Sequence, residues 1–307
     1  MTAEAAPGPA PAAGPSKAER VTLGTVVLTM GDRPDELNRL LRSVADQEGA
    51  PIPVVVVANG GPLPQLPEGA TGVALPENVG IPAGRNVGTD ALREDTDVVL
   101  YLDDDGRLAG TDAARLLREA FAANPRLGIV SFRIVDPDSG ETQRRHVPRV
   151  RVGDPLRSGP VTTFLGGASA VRGAVLREVG GLPDDFFYAH EETDLAWRAL
   201  DAGWEIEYRS DIVLEHPKTS PARHAAFFRM NARNRVYLAR RNLPWPLVPA
   251  YLGTWVVLTA ARRPSKEAAR AWAAGFREGW QTPSGPRKAM SWRTVWRMTR
   301  LGRPPVI

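Results

Sequence analysis

Short valine-rich runs alternate with amphipathic segments through the first half of this chain, and that alternation restricts the fold more than any other feature. VTLGTVVLTM, PVVVVA and DVVLYL read as strands apolar on both faces, as in a mostly parallel sheet covered by helices on either side. Between the first two, Pro34 suits a first helical position, and Leu37, Leu40, Leu41 and Val44 follow at helical spacing. A short strand around 73–75, the loop PENVGIPAGRNVG and a helix to about Arg93 precede the third run. After it, TDAARLLREAFAANP predicts a helix capped by Thr111, and GIVSFRIVD a further strand.

The alternation weakens over the polar, proline-containing residues 136–160. TTFLGGASAVRG then predicts a strand, a Gly-Gly turn and a second strand entering a short helix. DDFFYAHEETDLAWRALDAGWEIEYRS predicts a helix with Leu195, Ala196, Ala199 and Leu200 on one face, stopped by Gly203 and followed by a strand. The expected organisation is a disordered leader over 1–18, an α/β domain over 19–220, and a basic, Trp-rich helical region over 221–307. The leader is Ala, Pro and Gly without an apolar core, unlike a signal peptide. No internal repeat interrupts this order.

The absence of cysteine excludes disulfides, thiolate metal sites and cysteine nucleophiles, and fits a reducing compartment. The net charge of +4 is unevenly spread: residues 262–307 hold eleven Lys and Arg against Glu267 and Glu278, a net of +9, which leaves −5 for the rest. Six of the eight tryptophans (Trp245, Trp255, Trp272, Trp280, Trp292 and Trp296) share this end of the chain, a mixture suited to a membrane interface. From Leu243 to Ala261 there is no charge for 19 residues, but Pro244, Pro246 and Pro249 break the first half, which favours an interfacial or packed helix over a span. FFRMNARNRVYLARRN places Arg229, Arg233, Arg235, Arg240 and Arg241 on a helix, either as a solvated basic face or as a surface for an anionic acceptor or membrane.

DVVLYLDDDG delivers Asp103, Asp104 and Asp105 into a loop at the carboxyl end of a strand, where open α/β sheets bind ligands. Three adjacent carboxylates repel, and a hard divalent ion such as Mg2+ or Mn2+ relieves that repulsion; the alternative is a solvated turn with a capping Asp. Glu191, Glu192 and Asp194 open a helix, where the macrodipole favours acids, and a carboxylate that stays ionised there suits a general base. His216 after a strand is either a metal ligand or a surface imidazole. NVGIPAGRN combines glycine, a helix N-terminus and Arg85, as an anion site would, or is simply a glycine-rich connection. Gly80, Gly84 and Gly88 do not make the dinucleotide fingerprint, and Walker A, GxSxG and HExxH motifs are absent.

In the order TVVLTMGDRPDELNRLLRSV, VVVVANGG, ENVGIPAGRNVG, VLYLDDDG, FLGGASAVRG, FFYAHEETDLAWRALDAGWEIEY and LEHPKTS, the chain over about 21–220 resembles glycosyltransferase family 2, including its rhamnosyltransferase-like members. The resemblance implies a GT-A fold, a Rossmann-like mostly parallel sheet flanked by helices, and inverting transfer of a sugar from a nucleoside diphosphate to a hydroxyl acceptor. It implies Asp103, Asp105 and His216 as ligands of Mg2+ or Mn2+, and Glu192, or its neighbour Glu191, as the base. Thr29, Asp32, Arg33, Asn59, Gly84, Arg85, Asn86, Asp103, Asp104, Gly166 and Gly167 fall on the donor side. Family members end the second strand with an Asp that reads the base, where this chain has Ala58 and Asn59, and the base position carries Glu instead of the commoner Asp.

The implied partners are a UDP or dTDP sugar and a hydroxyl on a glycan, lipid-linked or natural-product acceptor. The implied location is cytoplasmic, peripheral at the inner face of a bacterial membrane, as in cell-wall or polysaccharide synthesis. A sugar-nucleotide nucleotidyltransferase needs a Gly-rich basic loop after the first strand, which TMGDRPDE lacks. A nucleic-acid-binding role would rest on the basic tail alone, so no nucleic-acid partner is expected.

Overall fold

The computed structural model describes residues 16–218 and 225–307. Most of the expected leader, the end of LEHPKTS and the expected domain boundary at 220/221 lie outside the described residues.

The first strand, β1 (Leu23–Thr29), is followed by α1 (Pro34–Ala45) with Pro34 at its start, as its spacing predicts. Next come β2 (Val54–Asn59), β3 (Ala70–Leu75), α2 (Ile81–Asp90) and β4 (Val98–Asp103). β1 pairs in parallel with β2 and β4, and β2 with β3, which brings Thr29, Asn59 and Asp103 to one edge of the sheet. The chain continues through β5 (Arg107–Leu108), α3 (Ala113–Ala123), β6 (Leu127–Val135), β7 (Gly159–Pro160), β8 (Ala168–Arg172) and α4 (Gly173–Val179). After α5 (Glu191–Asp201) and β9 (Glu205–Glu215), the sheet order is β3-β2-β1-β4-β8-β6-β9-β5, with β7 on β9. β8 runs antiparallel to both β4 and β6, while β6 and β9 are parallel, so the sheet is mixed but mostly parallel.

Alternate residues of the central strands feed two cores. Val27, Leu100 and Leu102 join Leu37, Leu40 and Leu41 of α1 and Leu117 and Phe121 of α3 on one face. Val26, Val99 and Tyr101 join Leu195 and Trp197 of α5 on the other. That second core also takes in α6 (Ala225–Asn242), α7 (Leu247–Ala261) and α9 (Trp292–Arg300), through Val236, Leu238, Tyr251, Leu252, Val295 and Met298.

Several local expectations change. Thr111 does not cap α3: its hydroxyl donates to Glu48, and Asp112 precedes the helix without a side-chain cap bond. The strand expected in TTFLGG is absent, and β8 begins only at Ala168. The basic face of α6 is neither solvated nor free for a ligand at most positions. α8 (Lys266–Gln281) covers it: Arg229 and Arg233 pair with Glu278, and Arg240 donates to the carbonyls of Gly279 and Thr282. Arg241 pairs with Asp185. Gly275 and Gly279, one turn apart, permit this approach, because a Cβ at Gly275 would fall on the Arg229 carbonyl. The apolar run after Leu243 forms only the 15-residue α7, and no helix of the described residues is long and apolar enough to cross a membrane.

Candidate active site

A cleft opens at the carboxyl ends of β1, β2 and β4 and is lined by Thr29, Asp32, Arg33, Asn59, Arg85, the three aspartates and His216. Parallel pairing accounts for the first of these placements, since strands that run the same way in register deliver their C-terminal residues together. β9 supplies His216 just beyond its last residue, and the imidazole Nε2 lies 3.0 Å from Asp105 Oδ1. The Pro217 carbonyl is 2.8 Å from His216 Nδ1, a contact that fixes the ring and leaves Nε2 facing the carboxylate.

The three aspartates have separate tasks. Asp105 also accepts from Arg33 at 2.6 Å. Burial pushes Asp105 up, but the hydrogen bond and charge of His216 and the charge of Arg33 outweigh it and hold the carboxyl below its ordinary value. Asp104 accepts from the Thr29 hydroxyl at 2.7 Å, tying the loop to β1, and burial, with help from its acidic neighbours, pushes it up to about 6. Asp103 turns to Arg85, whose Nη2 donates to it at 2.9 Å. The expected three-ligand set is therefore not gathered: among the described residues no group of three acidic or imidazole side chains surrounds a common point. Asp105 and His216 together still offer an oxygen and a nitrogen donor, and a divalent ion held by few side chains completes its shell with substrate phosphates and water.

Arg85 is buried between two acids, with Glu191 Oε1 3.8 Å from its Nη1. Gly166 and Gly167 lie directly beneath it. The Gly167 carbonyl accepts from the Asp103 amide, a Cβ at Gly167 would fall on the Asp103 carboxylate, and one at Gly166 would crowd the Arg85 guanidinium. Neither glycine lines the cleft; together they make room for the pair that does.

Two donor-side residues sit elsewhere. Asn86 faces away from the cleft: it donates to the Leu182 carbonyl and Asp184 and accepts from the Leu182 amide, fastening that loop to α2. Gly84 packs on the sheet, where a Cβ would come 2.5 Å from Leu28 Cδ1. The N-terminus of α2 is also a poorer anion site than its sequence suggests, since the Ile81 amide is taken by the Phe187 carbonyl and Pro82 has no N–H. Asn59 donates to Asn78 and to the Gly80 carbonyl and accepts from the Val79 amide, so its polar atoms organise the loop around the cleft.

The acids of α5 depart from the expectation that they stay ionised. Burial, followed by the adjacent Glu191 charge, pushes Glu192 up to about 8, against the backbone amides at the helix start and the Arg85 charge. Glu191 also moves up, through burial, and its Oε2 has no partner. Desolvation outweighs the helix macrodipole here. The segment feeding α5 is strained as well: Phe187, Ala189 and His190 all have positive φ, between 60° and 71°. It presents Phe187 and Tyr188 to the cleft, facing Phe227 and Met230 of α6. Sequence periodicity did not single out these four; the aromatic pair before AHEETD was the one available signal.

A model of the family described as glycosyl transferase family 2 matches residues 25–180. The pre-mycofactocin glycosyltransferase of Mycobacterium tuberculosis (strain CDC 1551 / Oshkosh) is 27% identical over 223 residues, 68% of this chain and 44% of its own, so the chain spans less than half the length of that relative. Among solved structures, the mannosyltransferase PcManGT from Pyrobaculum calidifontis, in complex with GDP-Man and Mn2+, aligns with a TM-score of 0.53 and 19% identity over 91% of this chain and 84% of its own. GalNAc-T7 with UDP, GalNAc and Mn2+ aligns with a TM-score of 0.62 and 14% identity over 93% of this chain and 55% of its own. With an Asp-ended β4 at the centre of a mostly parallel sheet and the family's segments in order along it, the chain belongs to glycosyl transferase family 2 and has the GT-A fold.

Proposed function

We propose that this protein is an inverting glycosyltransferase that moves a sugar from a nucleoside diphosphate to an acceptor hydroxyl, with a divalent ion held by Asp105 and His216. The juxtaposition of that pair with Arg85, Asp103 and the α5 acids around one sheet edge carries the reading. PcManGT with GDP-Man and GalNAc-T7 with UDP support a nucleotide-sugar donor, and Mn2+ in both supports a divalent ion. Mg2+ or Mn2+ would supply charge neutralisation for the leaving diphosphate.

The chain's own groups do the rest. Arg33 and Thr29 fix Asp105 and Asp104, while Asp103, held by Arg85, faces the ribose and diphosphate end of the donor. Glu192 takes the proton of the acceptor hydroxyl as its oxygen bonds to the anomeric carbon, and the bond from that carbon to the phosphate oxygen breaks with its electrons on the diphosphate. A carboxyl raised to about 8 suits this task, because a base is most effective when its pKa lies near the working pH. Glu191, nearer Arg85, tunes Glu192 through its charge.

The C-terminal helices support a peripheral location. Val256, Val257 and Leu258 of α7 are exposed, as are Trp292 and Trp296 of α9, with Arg293 and Arg300 beside the last two. This combination suits insertion at an anionic membrane surface. The donor assignment is tested by a thermal-shift screen of UDP, dTDP and GDP sugars with Mn2+ or Mg2+. Metal-dependent stabilisation by one nucleotide series is expected, and no response to any of them would overturn the reading.

A further inference from the structure

The start of α5 borders a small, partly open cavity of about 50 Å3, lined by Thr163, His190, Thr193, Arg235, Trp255 and Arg303. Its chemistry is one-sided. The Arg235 guanidinium lies 3.2 Å from the centroid of the Trp255 ring, with Nε donating to Asn231 and Nη1 to the Tyr251 hydroxyl, all uncharged partners. The Arg303 side chain makes no hydrogen bond, and neither arginine is in an ion pair among the described residues. Burial holds both guanidiniums below their ordinary value, against the Tyr251 hydroxyl and, for Arg303, the Glu192 charge.

Two more polar atoms in the same wall lack partners. Trp255 Nε1, which can only donate, is buried without an acceptor, and His190 Nε2 is buried without any hydrogen bond. Buried donors and charges are ordinarily satisfied, so the orphaned Trp255 N–H beside the Arg303 guanidinium points to a ligand. Water alone would pair the N–H groups but not the charges. By the same measure one water needs about 10–15 Å3, so the cavity has room for a few heavy atoms, the size of a small oxyanion.

Position connects this cavity to the chemistry. Thr193 and His190 flank the two glutamates in sequence, and Glu192 is close enough for its charge to bear on Arg303. We propose that the cavity is an oxyanion subsite for the acceptor, holding a phosphate-type group borne near the hydroxyl that Glu192 deprotonates. The assignment rests on the glycosyl-transfer reading above, and it makes the acceptor a phosphorylated alcohol.

Inorganic phosphate is the probe for the site, titrated calorimetrically into the full chain in the absence of nucleotide. Saturable binding is expected, weakened about tenfold in Arg303→Gln, which loses a charged donor, and also in Trp255→Phe, which keeps an aromatic ring under Arg235 but removes the N–H. Circular dichroism and thermal midpoint of both variants show whether they are folded, and the second variant keeps the test open if the first is not. Absence of phosphate binding to wild type, or undiminished binding in both folded variants, would overturn the site. Glycerol phosphate and glycerol, compared as acceptors, then identify the source of the anion. Glycerol phosphate should displace inorganic phosphate and be used at a KM about tenfold lower than glycerol, with that preference lost in Arg303→Gln. Phosphate binding that glycerol phosphate cannot displace would overturn the acceptor assignment. Because the phosphate titration needs no donor, failure of glycosyl transfer itself would appear separately, as absence of donor turnover with an intact phosphate site.

Discussion

Asp105 and His216 meet at 3.0 Å although one follows β4 and the other follows β9, on opposite sides of the strands that separate them in the sheet order. The β5–β9 pairing makes the meeting possible, since Arg107 lies opposite Glu215 and so brings the loop after β4 beside the end of β9. Two donors on separate elements form one site only when the whole sheet is assembled.

The proposed metal site is tested at this pair. Asp105→Asn or His216→Ala should weaken Mn2+-dependent nucleotide binding by at least about a hundredfold while leaving the fold intact, since both side chains line the cleft and belong to neither hydrophobic core. Calorimetry with and without Mn2+ measures this. Equal nucleotide affinity in the variants would remove both residues from the metal site.

Glu192 is the proposed base, and turnover and its pH dependence test that role. Glu192→Gln should retain donor binding and lose about a hundredfold or more in turnover. In wild type the rate should rise with pH as the carboxyl ionises towards about 8. Stability moves the other way. The folded carboxyl keeps its proton to higher pH than the unfolded one, with its ordinary value of 4.5, so its contribution is complete below about 4.5 and is lost as pH rises towards 8. Thermal midpoints from pH 5 to 8 should fall more steeply in wild type than in Glu192→Gln. Parallel curves would show that the group does not titrate in this window.

Helix packing in the C-terminal half has its own test. Gly275→Ala would drive a methyl group into the Arg229 carbonyl and force α8 away from α6, at a cost of about 1–3 kcal/mol. Gly253→Ala, with open space around its position on α7, is the control and should be neutral or slightly stabilising. Denaturant midpoints compare the two.

Membrane contact should follow exposure. Replacing Trp292 and Trp296 with Ser should reduce sedimentation with anionic vesicles by about tenfold, with a smaller effect on neutral vesicles. Val295→Ser, at a buried position of the same helix, should instead lower stability. Unchanged vesicle binding by the double tryptophan variant would separate α9 from any membrane role.

Much of the α/β region was legible because its signals are local. VVVVA and VVLYL announce buried strands, Pro34 begins α1, and Asp103 ends β4. The Trp-rich tail likewise predicts surface helices, and α9 does hold Trp292 and Trp296 outward by burying Val295 and Met298. Less legible were residues whose role depends on what lies across the fold. Asn86 carries a side chain suited to a donor yet spends its hydrogen bonds on the loop at Leu182, and Gly84 serves contact with Leu28. The arginines of α6 read as a solvated face or a surface for an anionic partner, but α8, beyond α7 in sequence, supplies Glu278 and the carbonyls at its end to hold several of them.

The amino-acid order by itself determined most of the strand and helix succession and the delivery of three aspartates to a strand end, because each rests on periodicity and spacing within a short segment, and the order of seven motifs along the chain carried the family resemblance. Only the tertiary structure decided that Asp103 faces Arg85 while Asp105 faces His216, that burial and Glu191 push Glu192 up, and that Arg235 stacks on Trp255 with no ion pair among the described residues. Pairing and desolvation depend on groups distant in sequence, and their energies exist only once folding has brought those groups together and removed the water between them.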